Sequence, residues 1–132
     1  MGQLPLTADQ LDVIREGLRG VITNRNGTAH NRFLGIQIPI YGKTGTAEDP
    51  VTGRPHAWFA GYTQAGRDDQ PDIAVMVMFQ NKGEGSEWAA PVFRRIVESY
   101  FFGRVYTLYP WEAEIGLTAT ITETPTVTPA PR

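Results

Sequence analysis

The 132-residue sequence contains no cysteine, which excludes disulfide bonds and thiolate metal sites. It also contains no apolar run near the roughly 18 residues that a membrane-spanning helix requires. The first residues lack the charged and apolar regions of a signal peptide. The net charge is −2, and no basic cluster exceeds the pair Arg94-Arg95. A nucleic-acid partner is therefore not expected.

Reactive side chains are also scarce in this sequence. The two histidines, His30 and His56, belong to no spacing typical of metal ligands, so neither a metal site nor a cofactor is predicted. The two serines, Ser86 and Ser99, are not followed three positions later by lysine. The sequence therefore contains no Ser-x-x-Lys motif that would mark a nucleophile.

Apolar residues at helical spacing predict two helices. Thr7 and Gln10 form a capping-box pattern at the start of the first helix, and residues 11–21 continue its apolar face. Residues 88–100 predict the second helix, with two adjoining apolar rows. The polar side chains expected to face solvent on that helix are Arg94, Arg95 and Glu98.

Three stretches between these helices predict strands. The first is expected to run from Phe33 through Ala47, and the second covers residues 57–63. The third, residues 73–79, is apolar without alternation, which is typical of a strand covered on both faces. Met76 and Met78 are accordingly expected in the core.

The expected fold is α+β, with an antiparallel three-stranded sheet and N- and C-terminal helices. Residues 4–103 are predicted to form this unit. Residues 104–132 are predicted to form an extended, poorly ordered tail, since their second half is rich in threonine and proline.

The segment Lys43-Thr44-Gly45-Thr46 carries the most informative chemistry. A lysine in a cleft can polarise a hydroxyl or hold a carboxylate. Thr44 and Thr46 share a strand face, so their hydroxyls can bind one carboxylate together. Gly45 leaves room for a substrate backbone, and the Thr46 N–H can stabilise a developing oxyanion.

Two other interpretations of this segment are a surface turn and a nucleotide-binding loop. A lysine in a turn rich in glycine and threonine is common in hairpins. A phosphate-binding loop also ends in Gly-Lys-Thr, but it requires a glycine where Gln37 stands. It also requires a following helix, which Gly45 and Pro50 disfavour, so the nucleotide-binding loop is rejected.

Further motifs share the order and spacing of a known family. Residues 41–48, 56–62, 81–85 and 89–96 together resemble the C-terminal part of the transpeptidase domain of class B penicillin-binding proteins. This is part of the penicillin-binding/serine β-lactamase-like transpeptidase fold. The Ser-x-x-Lys and Ser-x-Asn signatures of that family are missing, and Tyr41 stands where a smaller residue is usual.

The resemblance implies a peptidoglycan D,D-transpeptidase, in which a serine forms an acyl intermediate with the stem peptide and β-lactams trap that serine. It implies catalytic roles for Lys43, in the proton network, and for the Thr46 N–H, in the oxyanion hole. Thr44, Gly45 and Thr46 would bind substrate, and His56 is a further candidate at the cleft mouth. The serine would lie on polypeptide outside this sequence, so the chain alone is expected to be inactive.

The resemblance also implies partners and a location. The ligands would be stem peptides ending in D-Ala-D-Ala and β-lactams, on the extracytoplasmic face of a bacterial membrane. The missing N-terminal portion of the domain, or a second copy, is expected to pair with residues 72–80, because an apolar edge strand invites pairing. The alternative function is a non-catalytic module that binds carboxylate-ended peptides or a partner protein. A third hypothesis is a structural fragment without ligand affinity.

Overall fold

The computed structural model describes residues 5–106 and residue 109. Its three strands form an antiparallel sheet in the order β1-β2-β3. The elements in chain order are α1 (Ala8–Thr23), a 3-10 helix (His30–Arg32), β1 (Ile40–Ala47), β2 (His56–Thr63), β3 (Ala74–Phe79) and α2 (Ala89–Phe102). The predicted fold class is therefore confirmed.

The start of α1 is capped as its residues predict, and a glycine closes the end of α2. The Gln10 N–H donates to the Thr7 hydroxyl, and the Thr7 N–H donates to the Gln10 side chain at 2.9 Å. This capping box satisfies two N–H groups that a helix start leaves free. At the other end, Gly103 closes α2 with a φ of +66°, and its N–H donates to the Ser99 carbonyl. A glycine takes this left-handed conformation without a steric penalty.

The core lies between the sheet and the two helices, which cover the same sheet face. Helix α1 packs on β1, while α2 packs on β2 and β3. Phe59 is fully buried at the centre, with ring centroids 4.7 Å from Phe93 and 5.4 Å from Phe33. Gly42 makes room for this cluster, because a Cβ there would lie 2.6 Å from the Phe59 ring. The remaining large buried apolar residues are Ile22, Ile38, Ile40, Val77, Val97 and Phe101.

The first strand begins at Ile40, so the predicted start at Phe33 is wrong. Gly35 has a φ of +78°, a left-handed conformation that interrupts an extended chain. Pro39 then lacks the N–H that a paired strand residue would offer. Residues 33–39 therefore approach β1 as an irregular segment.

The prediction that Arg94 and Glu98 face solvent is also wrong. Arg94 is 7% exposed and Glu98 1%, and their ion pair measures 2.6 Å. Arg94 also donates to the carbonyls of Arg32 at 2.9 Å and Leu34 at 3.0 Å. The pair is buried because the chain from Arg32 to Leu34 packs against this side of α2, where its carbonyls accept from Arg94.

No described helix covers the second face of the sheet, so the prediction that β3 is covered on both faces is wrong for the described part of the chain. Met76 is 67% exposed and Met78 48%, because both described helices pack on the other face. The expected core positions of these methionines are wrong for the same reason. We call this surface the open face. Its larger side chains are Tyr41, Lys43, Trp58, Tyr62, Met76 and Met78.

The predicted tail falls outside the described residues except for residues 104–106 and 109. In that short stretch, the Tyr106 N–H donates to the Glu98 carboxylate at 2.9 Å. Among the residues that the structure describes, no helix has both the length and the hydropathy to cross a membrane.

Candidate ligand-binding strand

Strand β1 lies at an edge of the sheet and has a free side. The Gln64 N–H donates to the Pro39 carbonyl at 3.0 Å, which fixes the alternation of the β1–β2 ladder. In an antiparallel pair, every second residue bonds to the partner strand, so the odd-numbered residues of β1 direct their N–H and C=O groups toward β2. The residues whose backbone groups point away from β2 are Ile40, Gly42, Thr44 and Thr46. We call this side the free edge of β1.

Two long cationic side chains already occupy carbonyls on the free edge. The Arg19 guanidinium, from α1, donates to the Ile40 carbonyl at 3.0 Å. The Lys43 ammonium donates to the Thr44 carbonyl. Among the described residues, no hydrogen bond uses the Thr46 N–H at this edge. That N–H is therefore available to an incoming carbonyl oxygen.

The two threonines share a face but differ in exposure. They lie opposite Phe59 and Ala57, on the side of the sheet that the helices cover. Thr44 is 9% exposed, and its hydroxyl oxygen lies 2.8 Å from that of Thr28. Thr46 is exposed near the end of the strand. Of the two hydroxyls, the one on Thr46 is accessible and the one on Thr44 is already hydrogen-bonded.

Lys43 projects from the other face, because it alternates with the threonines and lies opposite Ala60. Its side chain is exposed, and its bond to the Thr44 carbonyl brings the ammonium to the free edge. A groove of about 300 Å³ lies beside it. The residues that line this groove are Gly20, Val21, Asn24, Asn26, Gly27, Thr28 and Lys43. The charged side chain among them is a cation.

The missing side chain of Gly45 leaves space for neighbouring residues as well as for a ligand. A Cβ on Gly45 would lie 3.2 Å from the Cβ of Trp58, its partner across the ladder. From the helix-covered side, Gly85 approaches so closely that a Cβ there would lie 2.0 Å from the Trp58 carbonyl oxygen. The same Cβ would lie 2.6 Å from the Gly45 carbonyl oxygen. The glycine-rich loop before α2 therefore supports the backbone of the motif directly.

His56 is not brought beside Lys43. It lies opposite Ala47, four residues further along β1, which places it about 13 Å from Lys43. Its Nδ1 accepts the Asn81 N–H at 3.0 Å, which ties the start of β2 to the loop after β3. The substrate-binding role of His56 stays a prediction, and it would fall to the ring nitrogen Nε2.

A carboxylate fixes the charge at the His56 end of the strand. The Thr52 hydroxyl at 2.8 Å and the Val51 N–H at 2.9 Å hold the pKa of Asp49 below its ordinary value. Asp49 is therefore ionised at neutral pH in the β1–β2 turn. The strand thus has a cation near Lys43 and an anion beyond Ala47, so an anionic ligand group is favoured at the Lys43 end.

Sequence patterns did not point to Thr28 or Arg19 as neighbours of the motif. Thr28 lies in a polar loop that looks like an ordinary connection, and Arg19 is a charged residue outside the apolar spacing of α1. The distances that reveal them join residues 16 and 21 positions apart. Only the packing of α1 on β1 brings these side chains to the strand.

Comparison with known proteins identifies the family. The model of the family described as "Penicillin binding protein transpeptidase domain" matches residues 1–98. Peptidoglycan D,D-transpeptidase MrdA of Haemophilus influenzae is 29% identical over 108 residues, covering 71% of this chain and 16% of the relative. The MrdA protein of Salmonella typhimurium is 23% identical over 115 residues, covering 76% of this chain and 18% of the relative.

Solved structures agree with this match. Pseudomonas aeruginosa PBP2, in complex with WCK 5153, superimposes with a TM-score of 0.65 and 31% identity over 76% of this chain and 21% of that one. Helicobacter pylori PBP2, in complex with MreC, gives a TM-score of 0.54 and 27% identity over 67% and 17%. This chain therefore spans about a fifth or less of each relative's length. The resemblance noted from the motifs is confirmed: the chain belongs to the penicillin-binding protein transpeptidase family and is a partial transpeptidase domain.

Proposed function

We propose that this chain provides the substrate-binding strand and one half of the oxyanion hole of a peptidoglycan D,D-transpeptidase. The observation that carries the proposal is the free edge of β1, where the Thr46 N–H has no hydrogen-bond partner among the described residues and the Lys43 ammonium lies beside a groove. Several relatives of this chain are named as D,D-transpeptidases.

In this proposal, the Thr46 N–H acts on the carbonyl under attack. A serine outside this sequence attacks the penultimate D-alanine carbonyl, and the oxygen becomes negative. The Thr46 N–H donates to that oxygen, and the second donor is the N–H of the serine itself. Removing one such donor from an acyl-transfer enzyme typically costs about 3–4 kcal/mol of transition-state stabilisation.

Lys43 and the threonines act on the terminal D-alanine of the ligand, which carries the carboxylate and leaves in the reaction. The Lys43 ammonium belongs to the hydrogen-bond network that moves protons near the nucleophile, and its charge attracts the terminal carboxylate. The Thr46 hydroxyl binds this carboxylate, while the buried Thr44 hydroxyl, which is hydrogen-bonded to Thr28, supports the site from behind. Gly45 adds no side chain to the strand, so the edge stays open to the ligand backbone. A β-lactam presents the same carboxylate, so it would occupy the same place.

The open face and the outer edge of β3 are proposed to contact the rest of the transpeptidase domain. The match covers about a fifth or less of each relative's length, so most of the parent protein is available to cover the surface. Met76 and Met78 are exposed there, and the buried indole N–H of Trp58 has no hydrogen-bond partner among the described residues. A second copy pairing through residues 72–80 is the other occupant to test. The parent protein would work on the extracytoplasmic face of the membrane.

The second candidate function is a non-catalytic module that binds a partner protein or a carboxylate-ended peptide. The H. pylori relative was solved in complex with MreC. That complex favours the version of this alternative in which the ligand is a partner protein.

Labelling with a fluorescent penicillin tests the proposal against that alternative. The chain would be incubated alone and after co-expression with the serine-bearing portion of a penicillin-binding protein. We expect no covalent label on this chain alone and a label on the second polypeptide in the pair. A covalent adduct on Ser86 or Ser99 would overturn the proposal, and reversible binding without labelling of either chain would favour the module.

A further inference from the structure

Thr28 contacts the ligand-binding strand although it belongs to no motif of the sequence. Its hydroxyl oxygen lies 2.8 Å from the Thr44 hydroxyl oxygen. Thr28 is exposed and lines the groove beside Lys43, whereas Thr44 is 9% exposed. The hydroxyl that an entering ligand meets at this position is therefore the one on Thr28.

The loop that carries Thr28 is held in place before any ligand arrives. The Asn26 N–H donates to the Asn24 side chain at 2.9 Å, and the Gly27 N–H donates to the Asn24 carbonyl at 2.7 Å. The Ala29 N–H donates to the Val21 carbonyl at 3.2 Å. A Cβ on Gly27 would lie 2.4 Å from the same carbonyl oxygen, so the loop rests directly on the last turn of α1. A ligand would therefore not have to order this wall.

The hydrogen bond between the Thr28 and Thr44 hydroxyls uses one of their two protons, so the other proton can be donated into the groove. A hydroxyl has one proton to donate and can accept from others. If the buried Thr44 donates to Thr28, the Thr28 proton is left to donate into the groove. The groove lining contains the Lys43 ammonium and no carboxylate, so it favours an anionic acceptor.

We propose that Thr28 is a substrate-binding residue whose hydroxyl donates to the terminal carboxylate of a D-alanyl peptide, with Thr44 orienting it from behind. The inference rests on the proposed function and adds a residue from outside the motif to the same site. Thr46 and Lys43 contact the carboxylate from the strand, and Thr28 contacts it from the α1 side.

Nuclear magnetic resonance of the ¹⁵N-labelled chain can test this contact. The chain would be titrated with N-acetyl-D-Ala-D-Ala and with the same dipeptide as its C-terminal amide. The variants are Thr28→Val, which removes the hydroxyl, and Thr28→Ser, which keeps it. Thr23→Val is the matched control, because the Thr23 hydroxyl donates to the Arg19 carbonyl within α1 and does not line the groove.

Thr28→Val is expected to weaken binding of the acid about tenfold or more, since a hydrogen bond to a charged group contributes about 1.5–3 kcal/mol. Binding of the amide should change less than about threefold, and Thr28→Ser should restore binding of the acid. Thr23→Val should bind like the wild type. In the wild-type chain, the Thr28 resonances should shift more with the acid than with the amide, a readout that needs no folded variant.

Three results would overturn the inference, two of them for Thr28 alone and one for the ligand as well. Shifts at residues 42–46 that Thr28→Val leaves unchanged, or equal losses for acid and amide, would remove Thr28 from the site and keep the proposed function. An absence of shifts in the wild-type chain with either dipeptide would contradict the proposed ligand itself, and the role of Thr28 with it.

Discussion

Replacing Gly85 with alanine tests how the glycine-rich loop supports the motif. The new Cβ would lie 2.0 Å from the Trp58 carbonyl oxygen and 2.6 Å from the Gly45 carbonyl oxygen. Both oxygens belong to paired strands and cannot rotate away as a side chain would. Ordinary contact begins near 3.4 Å, so the loop must retreat by about 1.4 Å from the strands.

The expected cost follows from that displacement. Backbone shifts forced by overpacking typically cost about 1–3 kcal/mol. The upper part of the range applies, because the Gly85 carbonyl also accepts the Ala90 N–H at 2.8 Å and so helps to begin α2. We therefore expect a loss of about 2–3 kcal/mol in the free energy of unfolding, or a Tm lower by about 10 °C or more for a domain of this size.

Thermal and urea denaturation followed by circular dichroism would measure this loss. Gly17→Ala is the matched control, because a Cβ at that exposed position of α1 has nothing within 4 Å. Alanine is the better helix former by about 1 kcal/mol, so this variant should be more stable than the wild type. The reasoning is refuted if Gly85→Ala stays within about 0.5 kcal/mol of the wild type.

Three further predictions concern the ion pair, one carboxylate and the open face. Glu98→Ala leaves the Arg94 charge buried without its partner, so urea denaturation should show a loss of about 3–5 kcal/mol, and a loss under about 1 kcal/mol would count against it. The Ala65 N–H, above all, lowers the pKa of Asp72, so its stabilising effect should be present above the unfolded pKa of about 3.9 and should fade as the pH falls through the lower folded value. The Tm difference between the wild type and Asp72→Asn should therefore shrink in acid, and a constant difference from neutral pH down to about pH 2 would contradict this. Met76→Lys should reduce self-association measured by sedimentation without lowering the Tm of the dilute monomer, and a wild-type chain that is already monomeric when concentrated would exclude pairing through residues 72–80.

Local chemistry explains which parts of the fold were predictable. Thr7 and Gln10 act within one helix turn, so the capping box follows from their spacing alone. The strand pattern around Phe59 is equally local, because alternate residues of a strand face opposite sides. These short-range rules were sufficient for the order of helices and strands and for the antiparallel sheet.

The errors share a dependence on distant parts of the chain. Arg94 and Glu98 look like solvent-facing helix residues, and they are buried because carbonyls some 60 positions earlier need a donor. Met76 and Met78 look like core residues, and they are exposed because the described residues form a covering layer on the other sheet face only. In the site, the motif located Lys43 from sequence, while the approach of Thr28 depends on how α1 packs.

The most direct test of the account compares the two lysines of the chain in a complete transpeptidase domain that contains it. Acylation by a fluorescent penicillin would be timed for the wild type, Lys43→Ala and Lys82→Ala. Lys82 lies over the Trp88 ring at 5.0 Å, away from the groove lining, and serves as the control. We predict that Lys43→Ala slows acylation by about 100-fold or more, as expected for a residue of a proton-transfer network, while Lys82→Ala stays near the wild-type rate. Equal rates for Lys43→Ala and the wild type would contradict the assignment of β1 as the ligand-binding strand.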